Sequence, residues 1–336
     1  MMDSRERVKE ALNFNEVDLV PVIPPFQGFW ALMAAGYKIS ETFREPMKGA
    51  HAQMAMLEKA PFDGFEVIWD WLSPVEACGC KVNVPDDGNP ITMERVVKTI
   101  DDAEKLQVPD IGKHARSVSD FEVARALVDK YGKSHYTYAT LALPFTLAGE
   151  LRGVEALMLD ILKKPQLVHR LLDFSSKVLL EYAKAAKETG VDAIFWCDPT
   201  ASADLISARH FKAFAVPYIK GLVAKTKEMG LGAFLHICGN TTDRLDSILE
   251  ISPHLMSVDT KVDLANAKKI LDKRVALMGN VNTSNLLLKK PAEIIAEAKE
   301  CISKAGRIGY ALGAGCDIPI GSPLENVRAL WDAPRQ

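Results

Sequence analysis

From residue 136 onward one alternation repeats: a short apolar run, a glycine, proline or polar break, then an amphipathic helix. The runs are 136–143, 192–197, 233–236, 254–258, 275–278 and 309–312, with helices expected over 147–162, 166–189, 207–229, 243–249, 264–271, 292–305 and from Pro323 to about Leu330. Brief continuous apolar runs bounded by turn residues are the pattern of strands covered on both faces, and helices between them supply the covers. Two earlier runs, 17–24 and 65–69, bring the strand count to eight. Eight strand–helix units in 336 residues is the size of a (β/α)8 TIM barrel. A helix over 3–13 precedes the first run; residues 77–84, an excursion with its own short strand, and 85–100, which alternate and break like a hairpin, form a small insertion after the second strand. The competing architecture is a doubly wound open sheet. Its nucleotide fingerprint, G-x-G-x-x-G after the first strand, is missing. The expectation is an α/β chain whose residues 1–336 form a single barrel domain.

A barrel carries its active site where the strands end. The residues at those ends are Asp70, Asp198, His236 with Cys238, Asp259, Asn280 and Cys316. His236 and Cys238 are two apart in G-A-F-L-H-I-C-G-N, and alternate residues of an extended segment point the same way. An imidazole and two thiolates, the third arriving from the last strand, make three ligands with one open position, the pattern of a catalytic Zn2+. Thiolate-rich zinc is a poor water activator but binds a substrate thiol as thiolate. Asp259 is either the fourth ligand or the acceptor for the imidazole N–H. Trp69 and Trp196, with Trp30 and Trp71, sit near strand ends, where they wall an apolar pocket or simply fill the core.

Composition removes other functions. A formal net charge of −3 and a pI near 6.2, with basic residues scattered, leave no footprint for nucleic acid or a membrane surface. No apolar run reaches the ~18–20 residues of a span, and Met1–Glu6 begins a charged helix, not a signal peptide, so a cytoplasmic protein is expected. Six cysteines in this length are not a disulfide framework. Cys78 and Cys80 read as loop packing, and Cys197 and Cys301 as core. The remaining histidines lack partners at ligand spacing. Arg152 and Lys261 are the cations indicated for an anionic tail of a ligand.

The motifs H-I-C-G-N and G-A-G-C-D-I-P-I-G-S-P-L-E-N-V, with G-N-V at 279–281, L-P-F-T-L-A at 143–148 and the opening R-E-R-V-K-E-A-L-N-F, resemble the uroporphyrinogen decarboxylase superfamily. The similarity is stronger to its methylcobalamin:coenzyme M methyltransferase branch. That resemblance implies a barrel, zinc on His236, Cys238 and Cys316, and methyl transfer between a methylcobamide and a thiol such as coenzyme M or homocysteine. The chain has no D-x-H-x-x-G corrinoid segment of its own, so a separate corrinoid protein would bring the methylcobamide. Asp198, Asn280, Trp69 and Trp196 would line the substrate and corrinoid pocket. The decarboxylase itself is less similar, because P-P-F-Q-G-F-W-A-L-M stands where its arginine-rich segment would be. Asp70, in I-W-D-W-L, nevertheless resembles its catalytic aspartate. The alternatives are therefore a lyase working through Asp70, transfer from a methylated donor or to a folate, and a non-enzymatic tetrapyrrole binder.

Overall fold

A computed structural model describes residues 2–336. Seven parallel strands form one sheet in the order β1 (Gly64–Ile68), β4 (Tyr136–Ala142), β5 (Ala193–Cys197), β6 (Gly232–His236), β7 (Leu255–Ser257), β8 (Ala276–Val281) and β9 (Tyr310–Ala314). Between β1 and β4 lies the insertion, an antiparallel pair of β2 (Lys81–Asn83) and β3 (Ile91–Glu94).

The expected first strand over 17–24 is not a strand. It is reduced to one parallel bridge, Val22 with Leu312. Pro21, Pro24 and Pro25 carry no amide hydrogen, so a ladder cannot extend along this segment. The bridge still joins the two edges of the curled sheet. On one side the Ile23 N–H donates to the Leu312 carbonyl and the Leu312 N–H to the Pro21 carbonyl, each at 2.9 Å. On the other, the Asp63 N–H donates to the Val22 carbonyl at 2.9 Å. The Asp63 carboxylate accepts the Val22 N–H and pairs with Arg7 from the first helix, Ser4–Leu12, pinning that helix to the seam.

Helices are broken where the sequence has helix breakers, two of them ones expected as single pieces. Pro46 opens a second helix, Pro46–Lys59, after Ile39–Arg44. Gly153, at φ +96°, separates Pro144–Arg152 from Val154–Lys163. The region 207–229 divides into Ala208–Phe214 and Val216–Glu228, with Pro217 in the first turn of the second.

Side chains alternate across the sheet. Tyr138, Phe195, Phe234, Met278 and Ala311 fill the inside of the curl, while Ile194, Trp196, Leu235, Met256 and Leu277 pack outward under the helices. Parallel registers place Cys197 beside His236 and His236 beside Ser257, so these three side chains project together at the inner, C-terminal end. No helix among the described residues is long and apolar enough to cross a membrane.

Candidate active and metal site

The inner face ends in a cavity of about 240 Å³. Its walls include Phe26, Phe29, Trp69 and Trp71, and Cys197, Cys238 and Cys316 meet at its floor. The donor atoms of Cys197, His236 and Cys238 all lie within 4.8 Å of one another. Cys316 joins them through a 3.8 Å contact between its Sγ and that of Cys238. Two sulfurs at ~2.3 Å from one tetrahedral zinc stand about 3.8 Å apart, so the spacing fits that ion.

His236 is fully buried. Its Nδ1 meets the Ser257 hydroxyl at 3.1 Å, and its Nε2 has no hydrogen-bond partner although buried. An orphaned ring nitrogen inside a protein is costly, and a metal at Nε2 would satisfy it. Contact with Cys197, then burial, pushes the Cys238 thiol above its ordinary range; contact with Cys238 and burial do the same for Cys316. His236 opposes that rise at Cys316 without overcoming it, and a bound Zn2+ would reverse the balance.

Of the residues nominated from the sequence, Cys238, Cys316 and Trp69 line this cavity, and the buried His236 meets Cys238 just beneath it; Phe26 packs edge-on against the His236 ring at a centroid distance of 5.1 Å. Asp198 lies behind the wall, fully buried, accepting the Thr146 hydroxyl at 2.6 Å. Desolvation raises its carboxyl to about 7.

Four nominations require correction. Trp196 points away from the cavity, because its parity in β5 is opposite to that of Cys197; its Nε1 donates to Thr226 beneath the helix Val216–Glu228 at 3.0 Å. Asn280 turns outward, donating to the carbonyls of Asp259 and Val262, and lines a separate surface cleft. Asp70 does not face the cavity, since Arg116 takes both of its oxygens. Asp259 is not the imidazole acceptor; Ser257 holds that place. The Asp259 carboxylate instead accepts the backbone N–H groups of Gly239 and Lys261, each at 3.0 Å, and so holds the loop that carries Cys238. The two cations indicated for an anionic tail also lie elsewhere. Arg152 pairs with Asp160 and Lys261 with Asp204.

Sequence reasoning missed Cys197, Glu66 and Asp317. Glu66 is the one carboxylate inside the fully buried strand β1, which was the available signal. Its Oε2 accepts the Gly28 N–H at 2.9 Å, and desolvation raises it to about 8. Asp317 follows Cys316 and lines the cavity as an exposed side chain.

The family model for uroporphyrinogen decarboxylase (URO-D) matches residues 3–336. The methylcobamide:CoM methyltransferase MtbA of Methanosarcina acetivorans is 31% identical over 334 residues, 98% of this chain and 97% of that protein. The methylcobamide:CoM methyltransferase MtaA of Methanosarcina barkeri is 30% identical over 97% of this chain and 96% of its own length. A solved methyltransferase from Methanosarcina mazei superposes with a TM-score of 0.91 at 27% identity, covering 100% of this chain and 99% of that one. The chain therefore belongs to the uroporphyrinogen decarboxylase family, and within it to the methyltransferase enzymes of the methylcobamide:CoM type.

Proposed function

We propose that this methyltransferase moves a methyl group between a methylcobamide, carried by a separate corrinoid protein, and a small thiol, with His236, Cys238 and Cys316 holding zinc. In this reading the seven strands and the Val22 bridge act as the eight positions of a closed (β/α)8 barrel, one domain over 1–336. The observation that carries the proposal is the meeting of these donors, with the orphaned His236 Nε2 among them, on the floor of an aromatic-walled cavity. Zinc on such donors supplies a place where a thiol, otherwise mostly protonated at neutral pH with a pKa near ~8.5, is held as thiolate.

The chain's own residues do the rest. Ser257 keeps the His236 ring turned so that Nε2 faces the sulfurs. Asp259 anchors the backbone beside Cys238. Cys197 is a fourth donor within reach. Trp69, Trp71, Phe26 and Phe29 exclude water around the reacting sulfur. A lyase working through Asp70 is disfavoured, because that carboxylate is already held by Arg116.

Elemental analysis of metal-replete protein is expected to give about one zinc per chain, falling below about half in Cys316→Ser. X-ray absorption at the zinc edge is expected to gain a Zn–S shell at ~2.3 Å when the acceptor thiol is added. Zinc content unchanged by Cys316→Ser would sink the ligand assignment.

A further inference from the structure

The cavity holds acidic groups and no basic side chain to oppose them. No lysine or arginine among the described residues lines it. Glu66 and Asp317 do line it, and among the described residues neither makes an ion pair. Ionised or protonated, neither offers positive charge to a ligand. In the first turn of the helix Pro144–Arg152, whose N-terminus would attract an anion, the Thr146 hydroxyl is already donated to Asp198.

Other sources of positive charge are spoken for. Arg116 lines a different cleft, behind Trp69, where Asp70 and Glu76 neutralise it. His236 faces Ser257 with one nitrogen and the sulfurs with the other. A divalent zinc held by one neutral imidazole and two thiolates would be formally neutral, and its open position would be taken by the substrate sulfur, so it would leave no positive charge for an anionic tail. The walls offer aromatic faces, Trp69 and Trp71 among them, which bind apolar bodies and cations.

We propose that the small thiol served by this cavity carries no negative charge, being neutral or cationic with an apolar body, and is not a sulfonated or carboxylated thiol. The inference rests on the proposed thiol chemistry. An anionic tail entering here would lose its water and meet two acidic side chains with no cation in return. A neutral tail has no such loss, and an ammonium gains the carboxyl groups and the ring faces. The substrate charge thus departs from that of coenzyme M, the sulfonated thiol in the names of the relatives.

Three thiols with the same two-carbon spacer test this: 2-mercaptoethanesulfonate, 2-mercaptoethanol and cysteamine. Their binding to the zinc-loaded full chain is measured by calorimetry and corrected for the thiolate fraction of each. The neutral and cationic thiols are expected to bind at least tenfold more tightly than the sulfonate. Asp317→Asn, with its zinc content checked, is expected to narrow the preference for cysteamine over the sulfonate by about threefold or more. If that variant fails to hold zinc, the wild-type ranking decides alone. Sulfonate binding equal to or tighter than that of both others overturns the charge inference and leaves thiol activation standing. Binding of none of the three overturns the proposed function, and this inference with it.

Discussion

Cys197 and Trp196 are neighbours in sequence and stand on opposite faces of one strand. The sequence leaves Trp196 open between pocket wall and core and reads Cys197 as core; the structure puts the tryptophan in the outer core and the cysteine at the cavity, because a one-residue change of parity exchanges inside for outside. Register settles the matter. Cys197 pairs with His236, so whichever way the histidine points the cysteine follows. Trp196 then serves stability alone. Trp196→Phe loses the bond to Thr226 and leaves unfilled space in the outer core, and is expected to cost about 1–3 kcal/mol in urea denaturation. Its zinc stoichiometry should stay at the wild-type value; zinc loss at unchanged stability would put the side chain back in the site.

The element that matters most is the turn leaving β6. Gly239 follows Cys238 with φ +76°, and a Cβ there would lie 2.9 Å from both the Ser202 hydroxyl and an Asp204 carboxylate oxygen. Its N–H is the donor that Asp259 holds. Gly239→Ala therefore strains the backbone by ~1–2 kcal/mol and pushes the turn off its support. The expected result is zinc binding weakened at least tenfold in competition with a chelator, a size typical of lost outer-shell support for a metal ligand. Wild-type zinc affinity in this variant would show that the turn does not govern the position of Cys238. The H-x-C spacing was legible in the sequence because it lies within one element. The support from Asp259 was not, because it crosses to the loop after a different strand and depends on where that loop folds back.

Across the whole molecule, folding takes Glu66 out of water. Its carboxyl is raised from an ordinary value of 4.5 to about 8, with burial the leading cause. Between those two values the folded chain keeps a proton that the unfolded chain has released, so stability falls as pH rises. The contribution is complete below about 4.5 and gone above about 8, with a slope of up to ~1.4 kcal/mol per pH unit. Glu66→Gln mimics the protonated acid and is expected to flatten this part of the curve of unfolding free energy against pH. An unchanged slope would mean that Glu66 is ionised in the folded protein. The alternation of strands and helices was legible throughout, except where Pro21, Pro24 and Pro25 leave a single bridge at the seam.

By itself the sequence determined the alternating α/β architecture, the lack of a basic surface, and the soft donors His236, Cys238 and Cys316, because periodicity, charge and residue type are local properties of the chain. The tertiary structure alone decided that Cys197 joins those donors, that Ser257 and not Asp259 holds the imidazole, that Arg116 takes Asp70 out of the site, and that Glu66 and Asp317 face a cavity without a basic side chain. Those outcomes depend on strand register and on the desolvation that closure of the sheet imposes, and neither is written in any short stretch of the chain.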